Sequence, residues 1–210
     1  MVNIRVSVRT LVEHLLRRGD LSMSFDISSR ASMFASNHAH QKIQKSRPQP
    51  YATEVPVFYH VENERIALDI QGRIDGLYEL ADSVVIEEIK TTRRDFDEFI
   101  KQNNELHWAQ VKVYAAIYAI ENKLERILTQ LTYGHIKSGE VRTYFQEFKT
   151  DDLRIFFIQL LEQYFDWAEK IENWHQERDR SIIASEFPFT SFRNGQRQMI
   201  NDVAAIIEQE

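Results

Sequence analysis

Apolar residues recur at helical spacing in VRTLVEHLLRR (8–18), where Leu11, Val12, Leu15 and Leu16 share a face and Gly19 supplies a stop. A second helix is expected over roughly 27–46, with Ser28 and Ser29 near its start and Pro48 and Pro50 closing it. The period then shortens to two. Residues 53–61 (TEVPVFYHV) and 65–75 (RIALDIQGRID) are rich in β-branched and aromatic side chains around the turn VENE, which predicts a hairpin. VVIEEIK (84–90) suits a buried strand. Two helices are expected next, over 93–102 and 105–122, then a hairpin of 128–136 and 140–148 through KSG. Asp151 and Asp152 should cap a long helix reaching residue 178, whose Phe156, Phe157, Tyr164, Phe165, Trp167 and Trp174 have core spacing. Residues 177–186 look like a linker before an extended piece and a final amphipathic helix. The order αα–ββ–β–α–ββ–α predicts a mixed α/β fold, a central mixed sheet flanked by helices.

Composition narrows the chemistry. With no cysteine among 210 residues, disulfides, thiolate zinc sites, iron–sulfur clusters and cysteine nucleophiles are excluded. Hydrophobic residues at 43% and charged residues at 28% fit an ordinary globular domain. No apolar run approaches the roughly 20 residues of a membrane span, and the first residues lack a signal-peptide core, so a cytoplasmic setting without membrane partners is expected. The net charge of −6 is unevenly spread. Residues 1–50 hold eight Lys and Arg against three acids, whereas the rest hold 18 against 29. A basic N-terminal quarter, including Arg17 and Arg18, could face phosphates or simply solvent.

The informative stretch runs from 72 to 114. Asp75 ends a strand in GRIDG, and IEEIKTT offers Glu88, Ile89 and Lys90. Strand residues two apart share a face, so Glu88 and Lys90 project together while Ile89 packs behind. Two carboxylates and the Ile89 main-chain carbonyl suit Mg²⁺ or Mn²⁺, with Lys90 beside them to orient water or offset charge. Alone, the same residues could form a cross-strand salt bridge. Two additions change the weight: His40 on the preceding helix as a further metal ligand, and Gln110 with Tyr114 on one face of the helix after the strand.

This ordered set resembles the RecB-like exonuclease branch of the PD-(D/E)XK nuclease superfamily, over roughly residues 5–175. The resemblance implies a restriction-endonuclease-like fold and a metal-dependent DNA nuclease acting on single strands or free ends. By motif, Asp75, Glu88 and Lys90 are catalytic; His40, Asp75, Glu88 and the Ile89 carbonyl bind metal; Gln110 and Tyr114 are accessory or DNA-binding. Many members of the branch carry an iron–sulfur cluster, and a chain without cysteine cannot. His38 competes with His40 for the ligand role, although QKIQ after His40 fits the pattern better. Glu54 resembles an accessory acid.

FPFTSFRNGQRQMINDV (187–203) resembles the opening of DinG-type, XPD-related helicases, in which Arg193 and Gln196 would match residues at the adenine end of a nucleotide pocket. No G-x₄-G-K-[ST] follows, so this chain should hold no ATPase. The expected division is a nuclease domain over 1–178 and, over 179–210, a linker with the start of a helicase that continues downstream in the same polypeptide, a context of DNA repair or recombination. The alternative is a catalytically silent module that grips single-stranded DNA beside a helicase.

Overall fold

The computed structural model describes residues 1–18, 30–81, 83–185 and 189–207. Gly19, Ser28, Ser29 and residues 186–188 lie outside the described residues. Two compact units divide the chain, 1–169 and 170–210. In the first, β1 (Val2–Ser7) runs into α1 (Val8–Leu16), and α2 (Arg30–Lys45) precedes β2 (Tyr51–Glu62), β3 (Ile66–Leu80) and β4 (Ser83–Thr92). Then come α3 (Phe96–Glu121), β5 (Arg126–His135), β6 (Val141–Lys149) and α4 (Thr150–Ile183), whose residues from Lys170 on belong to the second unit, as does α5 (Gln196–Ile207).

The mixed sheet has six strands, in the order β1-β3-β4-β5-β6 with β2 also paired to β3. This is the helix-flanked mixed sheet expected from the pattern. β3 organises it. β2 lies antiparallel along residues 67–78 of β3, so it occupies one whole edge. The other edge is shared: β1 runs parallel along 66–71, and β4 runs antiparallel along 76–80. Residues 72–75 therefore face a gap between two ladders. At its lower end Ser7 leaves β1 and caps α1, its hydroxyl accepting from the Thr10 N–H at 3.0 Å.

Four expectations need correction. β1 was not anticipated; the short alternation of Ile4 and Val6 suffices once β3 offers a free edge. The two helices expected over 93–102 and 105–122 are one, α3, because no glycine or proline interrupts them. Its start is set by Asp95, whose carboxylate accepts from the Glu98 N–H at 2.9 Å. α4 continues as helix to Ile183, through residues read as linker, and begins at Thr150, so Asp151 and Asp152 sit in its first turn, where they suit the helix dipole. The aromatics of α4 also separate. Phe157 and Tyr164 are buried, whereas Trp167 and Trp174 are exposed.

The core is built by β3 (Leu68, Ile70, Ile74), β5 (Ile127, Leu131, Tyr133) and α3 and α4, including Val111 and Phe157. Ala115, Ala116 and Ala119 give α3 a small-residue face. On a different face of α3, Gln110 and Tyr114 reach Lys90 and Gly72 of the sheet.

Candidate active site

Asp75 stands at the upper end of the gap, one residue before the β3–β4 ladder begins at the Gly76–Glu87 pair. Its side chain replaces the missing ladder bond, as the Ile89 N–H donates to Asp75 Oδ2 at 2.7 Å. On β4 the alternation holds as expected. Lys90 Nζ lies 2.5 Å from Glu88 Oε1 and 2.8 Å from Gln110 Oε1, so the ammonium is fixed between strand and helix. Ile89 is buried. Tyr114, one turn beyond Gln110, lies on β3 at Gly72, where an added Cβ would come within 2.6 Å of Tyr114 Cε1. Glycine is required there to let the ring in.

His40 reaches the same point from α2, with Nε2 3.2 Å from Asp75 Oδ2. Burial lowers its pKa, but the Asp75 hydrogen bond and the charges of Asp75, Glu54 and Glu88 outweigh that and raise it. His38 is exposed and lines a separate groove with Phe34 and Ile43.

Glu88 carries the most telling electrostatics. It is 3% exposed, and its second oxygen, Oε2, is buried without a hydrogen-bond partner. Burial, then the neighbouring Asp75 charge, push its carboxyl up to about 7, against the pull of Lys90 and His40. A buried carboxylate oxygen with nothing to bind is costly unless a cation takes it. An imidazole, two carboxylates and a main-chain carbonyl are the donor set of a hard divalent ion, so these residues fit one. As they stand, His40 is bonded to Asp75 and Glu88 to Lys90, and among the described residues no three such side chains already form a closed set.

The site opens into a cleft of about 540 Å³. Arg17 lines it; Arg18 is exposed and does not. Three further residues escaped the sequence reading. Arg9, on the first turn of α1, lines the cleft, and nothing but its charge marked it. His107 also lines it, its Nδ1 3.0 Å from the Tyr133 hydroxyl. Burial, then Lys90 and Arg9, drive its pKa down to about 3, so it is a neutral polar group. Gln44, four residues after His40 on the same helix face, donates to the Asp75 carbonyl at 2.9 Å and to Glu54 Oε1 at 3.4 Å. That spacing was a usable signal. Glu54 itself lines the cleft with a φ of 55°, a left-handed backbone that a non-glycine residue rarely adopts inside a strand.

The second unit holds Arg193 and Gln196 at the start of α5, where the Arg193 N–H donates to the Gln196 side-chain oxygen at 2.7 Å.

A family model described as the PD-(D/E)XK nuclease superfamily matches residues 7–197. The chain belongs to that superfamily. Its membership points to a metal-dependent nuclease that hydrolyses phosphodiester bonds, with Mg²⁺ or Mn²⁺ the usual ions. Comparison with curated proteins finds no match. A solved structure described as "Crystal structure of SSO0001" is similar over 76% of each chain, with 15% identity and a TM-score of 0.47. Among the described residues of this PD-(D/E)XK protein, no helix is long and apolar enough to cross a membrane.

Proposed function

We propose that the chain is a DNA nuclease of the RecB-like branch, acting on single strands or free ends, with Asp75, Glu88 and Lys90 as its catalytic residues. The observation that carries this reading is the orphaned, buried oxygen of Glu88, whose carboxylate also binds Lys90 at the wall of an open cleft that His40 and Lys90 line. His40, Asp75, Glu88 and the Ile89 carbonyl would hold Mg²⁺ or Mn²⁺. Such an ion supplies Lewis acidity at the scissile phosphate and a bound water of lowered pKa. Lys90, held by Glu88 and Gln110, presents its ammonium to the attacking water and to the charge that develops on the phosphoryl oxygens. Asp75 fixes the top of β4 through the Ile89 amide. Arg9 and Arg17 along the cleft suit phosphates on either side of the cut. A silent DNA-gripping module would not need a lysine fixed between two partners, one of them a buried carboxylate with its second oxygen left unbonded.

We further propose, on the C-terminal likeness to a DinG-type helicase, that this domain belongs to a cytoplasmic helicase–nuclease of DNA repair or recombination. Arg193 and Gln196 would then belong to a nucleotide pocket completed downstream.

The test is hydrolysis of single-stranded DNA, linear against circular, with Mg²⁺ or Mn²⁺ and with EDTA in excess. Cleavage of the linear strand, stopped by chelation and reduced at least about a hundredfold by Lys90→Met, is expected. Undiminished cleavage by Lys90→Met, or in excess chelator, would overturn it.

A further inference from the structure

Glu87 precedes Glu88 in the chain and points to the opposite face of β4, where it is completely buried. Its carboxylate is saturated. The Arg47 guanidinium binds both oxygens, with Nε 3.1 Å from Oε2 and Nη2 on Oε1. The Tyr51 hydroxyl donates at 2.7 Å, Gln130 Nε2 at 2.6 Å and Thr132 Oγ1 at 2.5 Å. A buried ion pair is a poor source of stability, since apolar residues of similar volume often serve as well. What this pair joins is informative. Arg47 lies two residues beyond α2, in the turn that closes it, where its N–H donates to the Gln44 carbonyl at 3.2 Å, while His40 and Gln44 stand four apart on one face of the helix. His40 and Gln44 reach Asp75 across the gap, while Arg47 reaches Glu87 beside the metal-facing Glu88.

We propose that the Arg47–Glu87 pair is a positioning device that fixes α2 from the back of β4, so that His40 is held at Asp75 and Glu88. This rests on the reading of those three residues as a divalent-cation site. Glu87 and Arg47 touch neither cation nor DNA; they act through His40.

The test is Mn²⁺ affinity of the full chain, read as free Mn²⁺ by electron paramagnetic resonance, with thermal melting as the check on folding. Arg47→Lys keeps the charge but loses the two-pronged grip. It should weaken Mn²⁺ binding about tenfold or more, the usual effect of a group that orients a ligand. In a His40→Ala background the same substitution should change affinity by less than about twofold, because its route of action is gone. Should Arg47→Lys not fold, Arg47→Met with Glu87→Gln removes both charges together and is expected to give the same pattern. Wild-type affinity in the Arg47 variants overturns the proposal and leaves the cation site standing. An equal loss with and without His40 overturns it too, by showing general loosening. Failure of the wild-type chain to bind Mn²⁺ overturns both readings.

Discussion

Replacing Gly76 by alanine tests how tightly the front and back of β4 are coupled. A Cβ at Gly76 would lie 1.9 Å from the Tyr51 hydroxyl oxygen, 2.3 Å from Cζ and 2.7 Å from Cε2. Those distances are far inside van der Waals contact, and the opposing atoms belong to an aromatic ring held by a hydrogen bond to a buried carboxylate. The ring must move. Losing a hydrogen bond to a charged group costs about 1.5–3 kcal/mol, and forcing extra volume into a packed site adds about 1–3 kcal/mol. The sum, about 2.5–6 kcal/mol, is a large share of the roughly 5–15 kcal/mol by which domains are stable. Urea unfolding followed by circular dichroism should register it, with Tm lower by on the order of 10 °C. Gly76 does not have a left-handed φ, so alanine itself is not strained there. In a Tyr51→Ala background the same substitution should therefore be neutral, or stabilising by about 0.4–1 kcal/mol through the unfolded chain. A cost below about 1 kcal/mol in the wild-type background, or an equal cost with the ring removed, would refute the argument.

Glu88→Gln should leave the fold intact while lowering turnover by at least about a hundredfold, checked by single-turnover cleavage beside a melting curve. Charge reversal at Arg17 should flatten the log–log salt dependence of single-strand binding by about 0.7, one phosphate contact, whereas Arg18→Glu should leave the slope unchanged because Arg18 lies off the cleft. Burial raises the phenols of Tyr51, Tyr78 and Tyr133 above their ordinary range. The unfolded chain thus loses those protons first, and stability should fall as pH rises above about 10. Urea midpoints flat between about pH 9 and 11 would contradict this sign.

The residues proposed to carry the chemistry were the most legible. Asp75, Glu88, Lys90, His40, Gln110 and Tyr114 sit in elements whose periodicity fixes their direction, and the structure brings all six to one place. Arg9 and His107 were not legible, because their relevance depends on where α1 and α3 pack, and a single arginine or histidine on a helix has no pattern of its own. β1 escaped for a related reason: a short strand becomes visible only when its partner edge is known. The false break near residue 103 shows the converse, since polar residues within a helix mark exposure and not an end. The buried role of Glu87 was equally hidden. Strand alternation sends Glu88 to the side of Lys90 and Glu87 to the back of the sheet, but the partners that bury Glu87, Arg47 and Tyr51 among them, lie far from it in the chain.

The divided edge of β3 bears on how such a chain can change over generations. Asp75 is located by counting residues: β1 fixes the strand up to Gln71, β4 takes hold at Gly76, and β2 pairs along the other side up to Ile74 and again from Gly76. A single inserted or deleted residue between 71 and 76 would have to break one of these three registers or turn the acid to the wrong face. Point substitutions at an exposed position such as Gln71 disturb no register. Lineages descended from this sequence should therefore diverge freely in side chains along this stretch while its length stays fixed, with changes in length confined to connections such as 136–140.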